Sequence, residues 1–196
     1  LGLLELIVKS GIGDAIASRL GGLKSHQGAI AETIENNVRS KIIKEHLSDP
    51  AYYEKMSELL DEIIALRRAK AIEYEEYLRR IAELARKVEA GHADDTPEPL
   101  RKSPGLRALY NNLKKSAARD IAGIAAEDPP DGEQRGADFV LTLAQKIDAT
   151  VKLARPDGWR GVQAREQVVK RALYDVLQNV DEVERIFPIV KQQPEY

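Results

Sequence analysis

Cysteine is absent from the 196-residue sequence, and only 5% of its residues are aromatic. Without cysteine the chain has no disulfide bonds, thiolate metal ligands or cysteine nucleophiles. No stretch approaches the roughly 20 uncharged apolar residues that a membrane-spanning helix needs. A signal peptide is not predicted either, because Lys9 ends the opening apolar run early and no basic segment precedes it. We therefore expect a cytoplasmic protein with no membrane partner.

An excess of one charge sign is also lacking, since 30 Lys and Arg residues face 32 Asp and Glu residues, for a net charge of −2. Proteins dedicated to duplex DNA usually carry a clear basic excess, so this balance argues against that class. Residues 1–8 are largely apolar and lack an initiator Met, whereas natural N-termini are usually polar and frayed. We expect the sequence to be one piece of a larger polypeptide.

Helix-forming residues dominate the sequence, and apolar residues recur with a period near 3.6 instead of the period of 2 that strands require. The predicted fold is all-α, an irregular bundle of about seven or eight helices. Long helices are predicted in residues 51–90, which contain no Gly or Pro, with a break near residues 70–73. Residues 91–105 form the predicted linker between an N-terminal helical part, residues 1–90, and a C-terminal helical part, residues 106–196.

Two local patterns in the second half predict particular helices. Asn179 precedes Asp181 and Glu182, which is typical of a helix start with acidic residues in the first turn. Another helix, ending before Pro156, is predicted from four apolar residues at intervals of four: Phe139, Leu143, Ile147 and Val151.

Motifs for catalysis and cofactor binding are missing from the sequence. Residues 21–25 (GGLKS) lack the spacing of a phosphate-binding loop and follow no predicted strand. No two of the three histidines are three or four residues apart, as a helical metal site requires. No lysine has an acidic residue two positions before it, so the (D/E)-x-K element of restriction-type nucleases is also lacking. We expect no catalytic residue, no cofactor site and no metal site in this chain.

A run of basic residues without any acidic residue covers positions 101–119. One interpretation is a basic helical module that contacts DNA directly; the other is an ordinary solvated helix face. The candidate phosphate contacts are Arg101, Lys102, Arg107, Lys114, Lys115 and Arg119.

Two further pairs of residues are candidates for a partner interface. Trp159 and Arg160 lie in a glycine-rich turn, where the single Trp either caps the bundle or anchors a partner. Asn36 and Asn37 lie in the middle of a predicted helix, where each Asn costs roughly half a kcal/mol relative to Ala. A buried hydrogen bond to a neighbouring segment is the first explanation for the Asn pair, and a partner contact is the second.

Five segments carry a pattern that is recognisable in series: residues 31–39 (AETIENNVR), 52–60 (YYEKMSELL), 74–78 (YEEYL), 157–161 (DGWRG) and 181–187 (DEVERIF). In this order they resemble the C-terminal region of the R (restriction) subunit of type I restriction–modification enzymes. The sequence departs from this pattern at Pro188, where the last helix should kink or restart. Residues 117–136 also fit the pattern less closely.

The resemblance implies a non-catalytic helical domain of an ATP-dependent endonuclease that moves along DNA. In this family the nuclease and the two motor domains precede the C-terminal region, which packs against the motor and helps to attach R to the M subunit. The implied partners are these motor domains, the M and S subunits and, through the whole complex, DNA. ATP and Mg²⁺ are implied as cofactors of the parent enzyme and not of this segment.

Overall fold

The computed structural model describes residues 1–23, 25–122 and 132–196, and the side chains in these ranges apart from 117–122 and 132–135. Ten α-helices and no strand are present in the described residues, which confirms the predicted all-α class. Among these helices, none combines the length and the apolar character that a membrane span demands.

The chain divides into two compact units that interrupt each other in sequence. Unit 1 comprises Leu1–His46 and Tyr52–Thr96, and unit 2 comprises Leu47–Ala51 and Pro97–Tyr196. The chain therefore crosses between the units three times. A short helix, Glu98–Lys102, lies within the segment that the sequence predicted as a linker.

Unit 1 is built from five helices around one apolar core. The bounds of the helices are α1 (Leu3–Ser10), α2 (Ile12–Arg19), α3 (Gln27–Glu45), α4 (Pro50–Arg68) and α5 (Tyr74–Ala90), the first two residues of α4 belonging to unit 2. Gly11, at φ +85°, ends α1 and lets α2 begin at once, because this backbone conformation carries little steric cost for glycine. The most deeply buried aliphatic side chains of the core are Ile34, Val38, Leu60, Ile81 and Val88.

The predicted break near residues 70–73 is confirmed. Helix α4 ends at Arg68 and α5 begins at Tyr74. Between them Lys70 adopts a left-handed conformation at φ +53°, which a continuous right-handed helix does not allow.

Unit 2 contains the remaining five helices: α6 (Glu98–Lys102), α7 (Pro104–Ala122), α8 (Gly132–Ala154), α9 (Gln163–Leu177) and α10 (Val180–Gln192). Its core includes Leu109 of α7, Ile147 of α8, Leu173 of α9 and Ile186 of α10. The predicted cap is confirmed at α10, where the Asn179 side chain accepts a hydrogen bond of 3.1 Å from the backbone N–H of Glu182.

The helix predicted to end before Pro156 is confirmed, since α8 ends at Ala154. Its buried residues are Val140, Ala144, Ile147 and Val151, whose 4-3-4 spacing follows the helical period, whereas Phe139 is 67% exposed. Of the kink or restart expected at Pro188, the restart does not occur, because α10 continues through this residue. Pro188 lies on the exposed side of α10, where water can take the place of the N–H that proline lacks.

Candidate protein interface

A buried ion pair joins three helices of unit 1. Arg67 at the end of α4 donates two hydrogen bonds to Glu35 of α3, from Nε to Oε1 at 2.7 Å and from Nη2 to Oε2 at 3.1 Å. The Tyr77 hydroxyl of α5 donates to the same Oε1 at 3.1 Å. Because Glu35 is only 5% exposed, these bonds replace the water that the carboxylate loses. The three side chains thereby fix the relative positions of α3, α4 and α5.

The contacts within this cluster determine the charge states of Arg67 and Tyr77. The hydrogen bond to Glu35 raises the pKa of Arg67, although burial acts in the opposite direction. Burial, followed by the nearby Glu35 charge, raises the pKa of the Tyr77 hydroxyl far above its usual range. Arg67 therefore stays charged and Tyr77 stays neutral throughout the ordinary pH range.

Asn36 and Asn37 do not make the buried hydrogen bond that their position suggested. Asn36 is exposed, and the Asn37 amide donates at 2.8 Å to the Thr33 carbonyl of its own helix. The buried link between helices is made instead by Glu35, the residue before the pair. One signal in the sequence does point to Glu35: it falls four residues after Ala31 and belongs to the apolar stripe of α3.

A second asparagine pair, Asn111 and Asn112, forms the hydrogen bonds to a neighbouring segment that were expected of Asn36 and Asn37. In unit 2 the buried Asp49 carboxylate accepts hydrogen bonds of 2.9 Å from both Asn111 and Asn112 of α7. The Asn112 side chain also accepts one of 3.2 Å from the backbone N–H of Ala51. These bonds tie the inserted segment, Leu47–Ala51, to α7. No motif in the sequence marks these residues.

Trp159 and Arg160 close one end of unit 2. Trp159 is 2% exposed, and its ring centroid lies 5.9 Å from that of Phe187. The Arg160 guanidinium covers the indole at 4.7 Å, while its Nε donates to the Lys191 carbonyl at 2.8 Å and its Nη2 to the Gln193 carbonyl. Arg160 therefore caps the carbonyl end of α10. The buried indole supports the capping interpretation over a partner anchor.

The basic residues of the 101–119 run have different surroundings. Arg107 donates from Nη1 to the carbonyls of Leu100 and Arg101, each at 3.2 Å, and Lys102 forms an exposed ion pair of 2.7 Å with Glu98. Arg101, Lys114 and Lys115 are exposed, and the Lys114 ammonium lies 5.9 Å from the Tyr110 ring centroid. The side chain of Arg119 lies outside the described residues. Arg107 and Lys102 are thus engaged within the chain.

The outward sides of α3 and α4 carry exposed residues of both charge signs. On α3 these are Glu32, Asn36, Ser40, Ile43 and Lys44. On α4 they include Glu54, Lys55, Glu58, Asp61, Glu62 and Arg68.

Among the described side chains, no group of three or more His, Asp and Glu residues is arranged to hold a metal ion. Comparisons of the chain with models of protein families, with curated proteins and with solved structures found no match. The resemblance to the R subunit consequently rests on the five sequence segments alone and stays a prediction.

Proposed function

We propose that this chain is a non-catalytic docking module that attaches the motor and nuclease part of a type I restriction R subunit to the M and S subunits. In this role the helices present a rigid surface to the methyltransferase core, and the chemistry of the parent enzyme takes place in other domains. ATP and Mg²⁺ are proposed to act in those domains. The specificity for a DNA sequence is proposed to lie in the S subunit.

The observation that carries the proposal is where the resembling segments lie in the fold. Segment 31–39 supplies Glu35 and segment 74–78 supplies Tyr77, which together hold the helices of unit 1 through Arg67. Segment 157–161 supplies the cap of α10. Three of the resembling segments therefore contribute residues to the framework, as expected for two proteins that share a helical scaffold.

Segment 181–187 adds a further link of the same kind. Its Arg185 donates from Nη1 to the backbone carbonyl of Asn112 at 3.1 Å and from Nε to Glu182 at 3.0 Å. These bonds join α10 to α7, the helix that also holds Asp49. Polar side chains that form their hydrogen bonds within the fold make it more rigid. A rigid surface loses little conformational entropy on binding.

The direct test is deletion of this region from the R subunit that contains it. An R subunit that lacks this region should fail to co-purify with the M and S subunits and should fail to cut DNA in their presence. ATP hydrolysis on free DNA by the same subunit serves as the control, because it reports on the motor domains without the attachment. Normal assembly and DNA cleavage by the R subunit that lacks this region would contradict the proposal.

The second candidate is direct binding of DNA through the basic run, favoured by the exposure of Lys114 and Lys115 on α7. Such binding would weaken steeply with salt, since each phosphate contact releases counterions. The double variant Lys114→Glu and Lys115→Glu should then lower the slope of log K against log salt by about 2. A flat salt response of the unchanged chain would exclude this candidate.

A further inference from the structure

Residues 193–196, which follow α10, are bound more extensively than an irregular segment of this length usually is. They form no helix, yet Gln193 is 3% exposed and Tyr196 is 1% exposed. Irregular surface segments ordinarily move more than helices, because few of their groups have partners within the fold. Here the side chains of three of the four residues are hydrogen-bonded to other parts of unit 2. We call these four residues the strap.

The strap supplies a carboxylate at the start of α7. Oε1 of Glu195 accepts a hydrogen bond of 2.7 Å from the backbone N–H of Gly105, and Oε2 accepts one of 2.7 Å from the Ser103 hydroxyl. The first N–H groups of a helix have no partner within it, and a negative charge is favoured beside them. Glu195 therefore acts as a cap for α7, although it lies 90 residues beyond Gly105 along the chain.

Tyr196 binds the strap to α7 and α8 together. Its hydroxyl donates a hydrogen bond to Asp148 of α8. Its ring lies so close to α7 that a Cβ at Gly105 would be 3.1 Å from it. The ammonium of Lys152, one turn after Asp148, lies 5.8 Å from the ring centroid. The ring therefore fills the space that the missing side chain of Gly105 leaves open.

Gln193 connects the strap to two further places in unit 2. Its Nε2 donates to the carbonyl of Ser48 in the inserted segment at 2.6 Å, and its backbone carbonyl accepts from Arg160 in the turn at residues 157–161. Between Gln193 and Glu195, Pro194 restricts the backbone, because its ring fixes φ. The spacing of the anchors is thereby nearly fixed, so a large movement at one anchor displaces its neighbours.

We propose that the strap is a clasp whose contacts form and break together, so that it couples the start of α7 to α8, to the inserted segment and to the turn at residues 157–161. In the open form α7 loses its cap, and Arg160 loses one of its two carbonyl partners. The junction of α6 and α7, where the basic run begins, is rigid only while the clasp is closed. This inference is independent of the docking function, because it concerns contacts within unit 2.

Amide hydrogen exchange of the 196-residue chain, followed residue by residue by NMR, tests the clasp. We expect Gln193→Ala to speed exchange of the Gly105 amide about tenfold, although the hydrogen bonds of the Gln193 side chain go to the carbonyls of Ser48 and Ile189. Glu195→Gln should speed it at least as much, since the bond to Gly105 is then changed directly. The matched control is Gln192→Ala at an exposed position of α10, which should stay within about twofold.

The amide of Leu173, in the core of unit 2, distinguishes opening of the clasp from unfolding of the whole unit. The proposal predicts faster exchange at Gly105 in Gln193→Ala, with little change at Leu173. If Gln193→Ala leaves the exchange at Gly105 as slow as in the unchanged chain, the anchors act separately and the inference is overturned. Equal acceleration at Gly105 and Leu173 would overturn it too, because unit 2 would then open as a whole.

Discussion

Arg67 binds Glu35 through two hydrogen bonds and at the same time places its guanidinium 5.8 Å from the ring centroid of Tyr77. The end of α4 is therefore held against both α3 and α5 by a single side chain. Glu35 and Tyr77 are buried and Arg67 is partly buried, so the loss of one member leaves polar groups of the others without a partner away from water.

Removal of the Glu35 charge should destabilise unit 1 strongly. In Glu35→Gln the partly buried Arg67 loses its counter-charge, and we expect the free energy of unfolding in urea to fall by about 3 kcal/mol. The double variant Glu35→Leu with Arg67→Met should recover most of this loss, because it leaves no unpaired charge. As a control, Arg79→Gln breaks exposed ion pairs with Glu76 and Glu83 and should leave the free energy of unfolding nearly unchanged. A double variant as unstable as Glu35→Gln would contradict this account.

Two buried tyrosines should make the protein sensitive to alkali. Burial raises the pKa of Tyr77 and, together with a hydrogen bond to Asp148, that of Tyr196 above the usual value of about 10. Their contribution is fully present below pH about 10 and is lost as pH rises further, because the unfolded chain then releases protons that the folded one retains. Urea unfolding above this pH should show the decline, and Tyr77→Phe should make it less steep. An equal decline in Tyr77→Phe would mean that Tyr77 does not contribute.

Gly105 and Tyr196 should be coupled energetically. A Cβ at Gly105 would lie 3.0 Å from the Tyr196 Oη and 3.1 Å from its ring, so Gly105→Ala must displace the ring. We expect this variant to destabilise unit 2 by about 1–3 kcal/mol. In a Tyr196→Ala background the clash is gone and the same change should cost nothing or stabilise the unit slightly, since Ala restricts the unfolded chain more than Gly. Additive effects in this double-mutant cycle would count against the contact.

The cap formed by Arg160 should be specific for arginine. Arg160→Ala removes two hydrogen bonds to the end of α10, and we expect the free energy of unfolding of unit 2 to fall by about 1–2 kcal/mol. Lysine has a single nitrogen and should restore less than half of this loss. Trp159 is the only tryptophan, so its fluorescence follows unit 2 selectively during unfolding. Full rescue by Arg160→Lys would argue that only the positive charge matters.

The helical class and the break after α4 were predictable because both depend on local composition and on the period of apolar residues. The extra helices were missed because α2 begins directly after a single glycine at positive φ, and α6 has only five residues within a turn-rich segment. Helix α8 was predictable for the same reason, although the buried position two turns before Ile147 is Val140 and not Phe139, since the helical period is 3.6 and not 4.

The two asparagine pairs show where sequence reasoning about a site stops. Asn36-Asn37 and Asn111-Asn112 look alike in sequence, but only the second pair meets a buried carboxylate. That carboxylate, Asp49, lies more than sixty residues away along the chain, so the pairing is set by tertiary contacts.

The most direct test of the docking function is a calorimetric titration of the 196-residue chain into the purified core of M and S subunits, with duplex DNA titrated separately under the same conditions. The account predicts saturable binding to the core at a fixed stoichiometry and no comparable binding to DNA. Heat no greater than that of dilution with the core, together with salt-sensitive binding to DNA, would contradict it.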